Sequence, residues 1–199
     1  MSEHFTIPNA VESLLKVKGS KFIGLAYPVE SAEDIKIRLE EVKRKYRDAQ
    51  HHCYAWILGL NQPIERSYDD GEPSHSAGDP ILGQIRSFKL TNVLVVVVRY
   101  FGGTKLGVGG LISAYKASAE EALAKVQVIQ IFERIGVTFS FEYPQLSTVE
   151  RLIEDFAIEV GERKFLETCK ITGRIKKDDL DQFKVRTKDF FNIDITTSA

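Results

Sequence analysis

Apolar residues recur along the first part of the chain with the periods of strands and helices in turn. Residues 21–29 and 52–60 are rich in apolar and aromatic side chains, which predicts two strands. Between them, Ser31 has the position and chemistry of a helix N-cap, and the predicted helix that follows has one apolar face. That face consists of Ile35, Leu39, Val42 and Tyr46. Residues 92–98, NVLVVVV, are apolar on both faces, so we expect a central strand that is covered on both sides.

The last part of the chain has a complete pattern of its own. The predicted elements are, in order, a strand over 131–141, a helix from Pro144, strands near 157–165 and 168–176, a helix capped by Asp178, and a strand over 192–197. The order βαββαβ predicts a ferredoxin-like unit. We therefore expect an α+β protein of two domains, residues 1–128 and 129–199.

The composition is that of an ordinary folded protein. Of the 199 residues, 43% are apolar and 28% are charged, and the net charge is −1. With no overall charge to attract nucleic acid or a membrane, any basic surface must be local, as at the helix end 43–47. Cys53 and Cys169 are too few for a disulfide framework, and the first residues lack the pattern of a signal peptide. We expect a cytoplasmic protein that does not enter a membrane.

A glycine-rich loop, residues 99–110 with the sequence RYFGGTKLGVGG, joins the predicted central strand to a helix over 110–126. A loop that enters a helix presents unpaired N–H groups and the positive end of the helix dipole, which together favour an anion. The loop residues of the candidate anion or nucleic-acid site are Arg99, Tyr100, Gly102, Gly103, Thr104, Lys105, Gly107, Gly109 and Gly110, and the helix adds Lys116. Tyr100 and Phe101 can stack on a base if they are exposed. The alternative is a tight crossover that needs glycine for packing alone.

Two familiar nucleotide motifs fail in this loop. Val108 and Gly109 stand where a P-loop requires Lys and Ser or Thr, and the spacing GxGxxG is not met. The sequence therefore indicates neither ATP nor a dinucleotide, and we expect no cofactor.

A second candidate loop, residues 67–85 with the sequence SYDDGEPSHSAGDPILGQI, has no helical or strand period. Its candidate site residues are Asp70, Gly71, Glu72, Pro73, Gly78 and Pro80. Asp69, Asp70 and Glu72 are of the type that binds a hard cation, but an acidic turn shaped by Asp-Gly and Pro is the interpretation that we favour.

The run His51-His52-Cys53 does not predict a metal site, because neighbouring residues of a strand point to opposite faces. His52 stays a candidate site residue on its strand. No Ser-His-Asp or Cys-His arrangement stands out, so we predict no catalytic residues and no metal.

Two blocks carry a resemblance to a known family: SYDDGEPSHSAGDPIL at 67–82 and VVRYFGGTKLGVGGLISAY at 97–115. Together with His52 in HCYAW, they resemble the IMPACT family, and the segment VTFSFEYPQLSTVERLI resembles the second domain of its bacterial, YigZ-type members. The chain departs from the family where His75 and Ser76 stand, since glycine and threonine are usual in that stretch.

The resemblance implies an amino-terminal domain like the second domain of a small-subunit ribosomal protein and a carboxy-terminal domain like the last domain of elongation factor G. It also implies a link to translation, because eukaryotic members are linked to its regulation under amino-acid stress. We therefore expect a non-enzymatic protein that binds nucleic acid or the ribosome and modulates translation, with RNA, the ribosome or a protein of the translation machinery as partner. An enzyme that holds phosphate in the glycine loop and Mg²⁺ on Asp70 and Glu72 is the alternative, and an adaptor between proteins is a third.

Overall fold

The computed structural model describes residues 3–198, and their contacts divide them into two units, residues 3–131 and 132–198. Each unit has a sheet, helices and a hydrophobic core of its own. The predicted two-domain α+β fold is confirmed. Within the described residues, no helix has both the length and the apolar character needed to cross a bilayer.

The first unit is built around a five-stranded antiparallel sheet. Its elements are, in chain order, β1 (His4–Thr6), β2 (Val11–Val17), β3 (Ser20–Pro28), α1 (Ala32–Lys45), β4 (His51–Leu58), β5 (Ile64–Tyr68), α2 (Gly78–Ser87), β6 (Val93–Tyr100), α3 (Gly107–Leu123) and β7 (Ile129–Ile131). The sheet order is β2-β3-β6-β4-β5, and the short strands β1 and β7 pair separately.

Strand β6 lies at the centre of this sheet, as its apolar sequence predicts. Val93, Val95 and Val97 pack into the core beneath α2 and α3. Leu94, Val96 and Val98 are equally buried on the other face, beneath α1. Ser31 caps α1 as predicted, since its Oγ accepts a hydrogen bond of 3.1 Å from the backbone N–H of Asp34. The end of β6 is therefore held firmly where the glycine loop begins.

The second unit has the βαββαβ order that the sequence predicts. Its elements are β8 (Arg134–Phe141), α4 (Leu146–Asp155), β9 (Glu159–Phe165), β10 (Cys169–Lys176), α5 (Leu180–Thr187) and β11 (Ile193–Ser198). The strand order β11-β8-β10-β9, with antiparallel neighbours, is that of a ferredoxin-like sheet. Phe139, Phe156 and Phe183 pack edge to face in its core.

Several local predictions are wrong. The expected loop over 67–85 ends in helix α2, whose apolar face is formed by Ile81, Leu82 and Ile85. Strand β5 was not predicted, because it is an exposed edge strand without an apolar period. The expected strand over 131–141 is two strands, since residues 129–131 pair with β1. Asp178 lies in a short 3₁₀ turn, Lys177–Asp179, and makes no cap for α5.

Candidate functional site

The end of strand β6 brings the two candidate loops together. Arg99 Nη1 donates a hydrogen bond of 2.5 Å to Glu72 Oε1, and both side chains are buried. Tyr115, on α3, donates a second bond of 2.7 Å to the same oxygen. The guanidinium of Arg99 also lies over the rings of Phe22 and Phe101, at 5.5 and 5.7 Å from their centroids. Glu72 therefore joins the second loop to the start of the glycine loop and to helix α3.

Behind this ion pair lies a buried polar cluster that the sequence did not reveal as a unit. Cys53 Sγ is 2.9 Å from the carbonyl oxygen of Asp69 and 3.3 Å from Tyr115 Oη. Burial raises the pKa of the Cys53 thiol to about 12 and raises that of Tyr115 further above its ordinary value. At neutral pH both groups keep their protons, so neither is an activated nucleophile.

The carboxylates of the second loop bind donors of the protein itself. Asp69 accepts hydrogen bonds from the backbone N–H groups of His75, Ala77 and Gly78, which satisfies the start of helix α2. Asp70 Oδ2 accepts a bond of 2.6 Å from the backbone N–H of His52. No group of three or more metal-ligating side chains occurs in residues 3–198. The carboxylates of this acidic loop therefore accept hydrogen bonds from backbone N–H groups or from side chains of the protein.

The glycines of the first loop have different structural reasons. A Cβ on Gly102 would lie 1.9 Å from the carbonyl carbon of Gly19, so packing against the β2–β3 turn requires glycine there. Gly103 and Gly107 have φ angles of +85° and +70°, which also favour glycine. A Cβ on Gly109 would meet nothing within 4 Å, and its φ is not in the left-handed region. Packing and backbone conformation therefore explain why glycine is needed at positions 102, 103 and 107. Neither explains why glycine occurs at position 109.

The tip of the loop is an exposed surface with basic side chains. Thr104 and Lys105 are exposed, and α3 starts at Gly107 without a side-chain cap. Lys116 is exposed further along α3, and neither lysine pairs with a carboxylate of the described residues. Tyr100 donates through its hydroxyl to Asp48 at 2.8 Å. Arg99 and Tyr100 thus bond to other residues of the fold, and Gly102 packs on the β2–β3 turn. Besides Gly102, the exposed candidates of this loop are Gly103, Thr104, Lys105, Gly107 and Gly109.

The model of the Impact N-terminal domain matches residues 18–123, a span that contains both loops and the Arg99–Glu72 pair. The chain belongs to the IMPACT family. IMPACT family member YvyE of Bacillus subtilis is 30% identical over 183 residues, which cover 92% of this chain and 84% of that protein. IMPACT family member YigZ of Escherichia coli is 34% identical over 154 residues, 76% of each chain. A crystal structure of a hypothetical protein superposes with a TM-score of 0.75 at 27% identity, over 100% of this chain and 98% of that one.

His75 has both an unusual backbone conformation and a side-chain contact with helix α2. His75 has a φ of 63°, a left-handed conformation that glycine adopts without strain. Its ring Nδ1 lies 2.6 Å from Asp79 Oδ2, and Ser67 donates to the other oxygen of Asp79 at 2.6 Å. The hydrogen bond and nearby charge of Asp79 raise the pKa of His75. The side-chain bond to Asp79 therefore accompanies a backbone conformation that is uncommon for histidine.

Gly71, Pro73, Gly78 and Pro80 shape the same turn. Gly71 has a φ of 84°, the Pro73 carbonyl accepts a bond of 2.6 Å from Ser76 Oγ, and Pro80 lies in the first turn of α2. A Cβ on Gly78 would lie 2.5 Å from the backbone nitrogen of Tyr68, so α2 can approach β5 only through glycine here. These residues build the loop that presents Glu72 to Arg99.

His52 is buried on the α1 side of the sheet. Its Nε2 lies 3.0 Å from the carbonyl oxygen of Tyr46, and its Nδ1 lies 3.7 Å from Asp70 Oδ2. Cys53 points to the opposite core, as the alternation along β4 predicts. The contacts of His52 connect strand β4 to the end of α1 and to the second loop, so its surroundings are those of a structural residue.

Proposed function

We propose that this protein binds RNA through the exposed tip of the glycine loop and acts in translation as a binding protein without catalysis. The observation that carries the proposal is the uncapped start of α3 beside Lys105, with open space above Gly103, Gly107 and Gly109. This combination allows a phosphate to approach the backbone closely. Membership of the IMPACT family supports the link to translation, and a cytoplasmic location remains a prediction.

The proposal gives separate roles to the exposed and the buried residues. The first backbone N–H groups of α3 donate to a phosphate, because they have no partner within the helix. Lys105 and Lys116 neutralise its charge, and the Thr104 hydroxyl adds a donor. Phe101, whose side chain is 47% exposed, offers a ring on which a base can stack.

Arg99 has a positioning role in this proposal. Arg99 bonds to Glu72 and lies over two aromatic rings, so it supports the base of the glycine loop and does not contact the ligand. Glu72 and Asp70 are likewise engaged by Arg99, Tyr115 and the backbone of His52. An enzyme that uses Asp70 and Glu72 to hold Mg²⁺ would have to break these bonds first, which makes it the weaker hypothesis.

The test is a fluorescence-anisotropy titration of the full chain with labelled single-stranded and hairpin RNA at about 50 and about 200 mM salt. Lys105→Ala is expected to weaken binding and to lower the salt slope by about 0.7, since one phosphate contact is lost from a single strand. Lys184→Ala is the matched control, because Lys184 is an exposed helical lysine of the second unit without a carboxylate partner among the described residues. Binding that is absent, or that is equal in the two variants, would contradict the proposal.

A further inference from the structure

We propose that a groove between helix α1 and the uncovered edge of the main sheet is a second binding surface, for single-stranded nucleic acid. We call it the aromatic groove and define it by Tyr54, Trp56, Arg66 and Tyr68. It rests on the proposed function, which it deepens by adding a place where bases are held in addition to phosphates.

The pairing of β4 with β5 puts the groove residues in one row. Tyr54 is opposite Tyr68, and Trp56 is opposite Arg66. The two tyrosine rings lie 5.2 Å apart between centroids, with an angle of 34° between their planes. Since directly paired residues of antiparallel strands share a face, these four side chains form a single platform.

The platform lies on the α1 side of the sheet. The intervening residues of β5 point the other way, because Glu65 pairs with Arg86 of α2 and Ser67 bonds to Asp79. Helix α1 packs over the buried residues of β6 and does not cover β5. Tyr68 is therefore 48% exposed, and Tyr54 and Trp56 are half-buried.

The charges around the groove favour a polyanion. Arg38 of α1 lies over the ring of Tyr27 in β3, and Lys45 bonds to Glu12 in β2, so this flank of the helix faces the β2–β3 side. Helical periodicity puts Lys36 and Lys43 on the opposite flank, beside the groove.

Most of these cations are free to meet a ligand. Lys43 and Arg66 pair with no carboxylate in residues 3–198, and Lys36 has only an exposed contact of 3.9 Å with Glu33. Glu33 and Glu40 are the acidic residues of the same flank, and Asp70 is already bonded to the backbone of His52. The aromatic rings are therefore bordered by Arg66 in the sheet and by Lys36 and Lys43 on helix α1.

This combination fits a single strand better than a duplex or an acidic peptide. Aromatic rings stack on unpaired bases, and the flanking cations neutralise the phosphates between these bases. Bases inside a duplex are not available to such a platform. A peptide would need an apolar pocket for an anchor, whereas this platform lies at the sheet edge and carries an arginine in its row.

Trp56 makes the proposal directly testable, because it is the single tryptophan of the chain. Titration of the full chain with an unlabelled oligouridylate should quench Trp56 fluorescence in a saturable way. Tyr68→Ala and Arg66→Glu should each weaken the apparent affinity of quenching about 5-fold or more. Tyr68→Phe should restore it, because the ring is retained. Leu14→Ala is the control, since Leu14 is exposed on β2 at the far edge of the sheet.

A parallel titration with the same oligonucleotide carrying a fluorescent label separates the two proposals. Rising anisotropy without Trp56 quenching, and without loss in Tyr68→Ala, overturns the aromatic groove and leaves the glycine-loop proposal intact. Quenching that survives in Lys105→Ala supports an independent surface. No rise in anisotropy with any RNA contradicts both proposals. Quenching by ribosomal subunits but not by naked RNA overturns the assignment to nucleic acid in favour of a protein occupant.

Discussion

Arg99 and Glu72 form an ion pair inside the fold, with 2.5 Å between Nη1 and Oε1 and side chains only 7% and 4% exposed. The Nε of Arg99 is buried without a hydrogen-bond partner among the described residues. Because the pair connects residues 27 positions apart, it fixes the second loop against the base of the glycine loop. Its integrity should therefore control the stability of the first unit.

Glu72→Gln should destabilise the first unit by about 3–5 kcal/mol, because it leaves the charge of Arg99 buried without its counter-ion. Urea unfolding followed by Trp56 fluorescence measures this, since Trp56 lies in the first unit. Glu65→Gln, which removes a partly exposed pair with Arg86, should cost less than about 1 kcal/mol. The double variant Glu72→Gln/Arg99→Met should be more stable than Glu72→Gln. Equal stabilities of Glu72→Gln and Glu65→Gln would show that the buried pair has no special role.

Cys53 should react very slowly with thiol reagents. Its pKa is raised to about 12 by burial, so the thiolate is scarce at pH 8 and the sulfur is also inaccessible. In a Cys169→Ser variant, labelling at about pH 8 should be more than about 1,000-fold slower in the folded chain than in urea. Rapid labelling of the folded chain would instead indicate a reactive cysteine and revive an enzymatic hypothesis.

Two glycines of the same loop should respond to alanine in opposite ways. Gly102→Ala should destabilise the first unit by about 3 kcal/mol or more, because its Cβ would overlap the backbone of Gly19. Gly109→Ala should stabilise α3 by about 0.5–1 kcal/mol, since alanine is the better helix former and the site is open. Thermal unfolding of both variants measures the contrast.

The RNA affinity of Gly109→Ala tests whether the exposed backbone at this position contacts the ligand. If a phosphate approaches Gly109, the stabilised Gly109→Ala variant should bind RNA more weakly than the unmodified chain. Stabilisation with unchanged RNA affinity would contradict a phosphate contact at Gly109.

The contact of His75 with Asp79 should make stability depend on pH. The pKa of His75 is raised above 6.5, so its stabilising effect is complete below 6.5 and is lost as the pH rises through the raised value. The pKa of Asp79 is lowered by Ser67 and then His75, so its effect is present above 3.8 and is lost as the pH falls through the lowered value.

His75→Asn measures this contribution, because asparagine tolerates the left-handed backbone but does not titrate. The unmodified chain should exceed the variant in Tm by more at about pH 5.5 than at about pH 8.5. The difference should be small and should shrink with salt, since both groups face solvent. A Tm difference that is constant with pH would mean that the contact does not depend on charge.

Structural features that depend on residues close together in the sequence could be predicted, whereas features that depend on distant residues could not. Three features depend on residues within a few positions, so their patterns are visible in the sequence. They are the Ser31 cap, the apolar face of α1 and strand β6, which is buried on both faces. The start of α2 depends on the carboxylate of Asp69, which lies nine positions before Gly78. The spacing of apolar residues alone therefore did not reveal this helix.

The same reason limits the prediction of the site. The sequence identified Arg99 and Glu72 separately as candidates, but their mutual bond arises only when β6 and the second loop meet. The roles of Lys105, Thr104 and the loop glycines remain predictions. The aromatic groove was not predicted, because β5 has no periodic signal and Tyr68 faces Tyr54 only through strand pairing.

Cosedimentation with purified ribosomal subunits at low salt tests the central proposal most directly. The unmodified chain and Lys184→Ala should comigrate with the subunits, while Lys105→Ala should remain largely at the top of the gradient. Raising the salt should release the bound chain, because the contact is with phosphates. A chain that stays at the top at low salt, or a Lys105→Ala variant that comigrates as fully as the unmodified chain, would contradict the role assigned to the glycine loop.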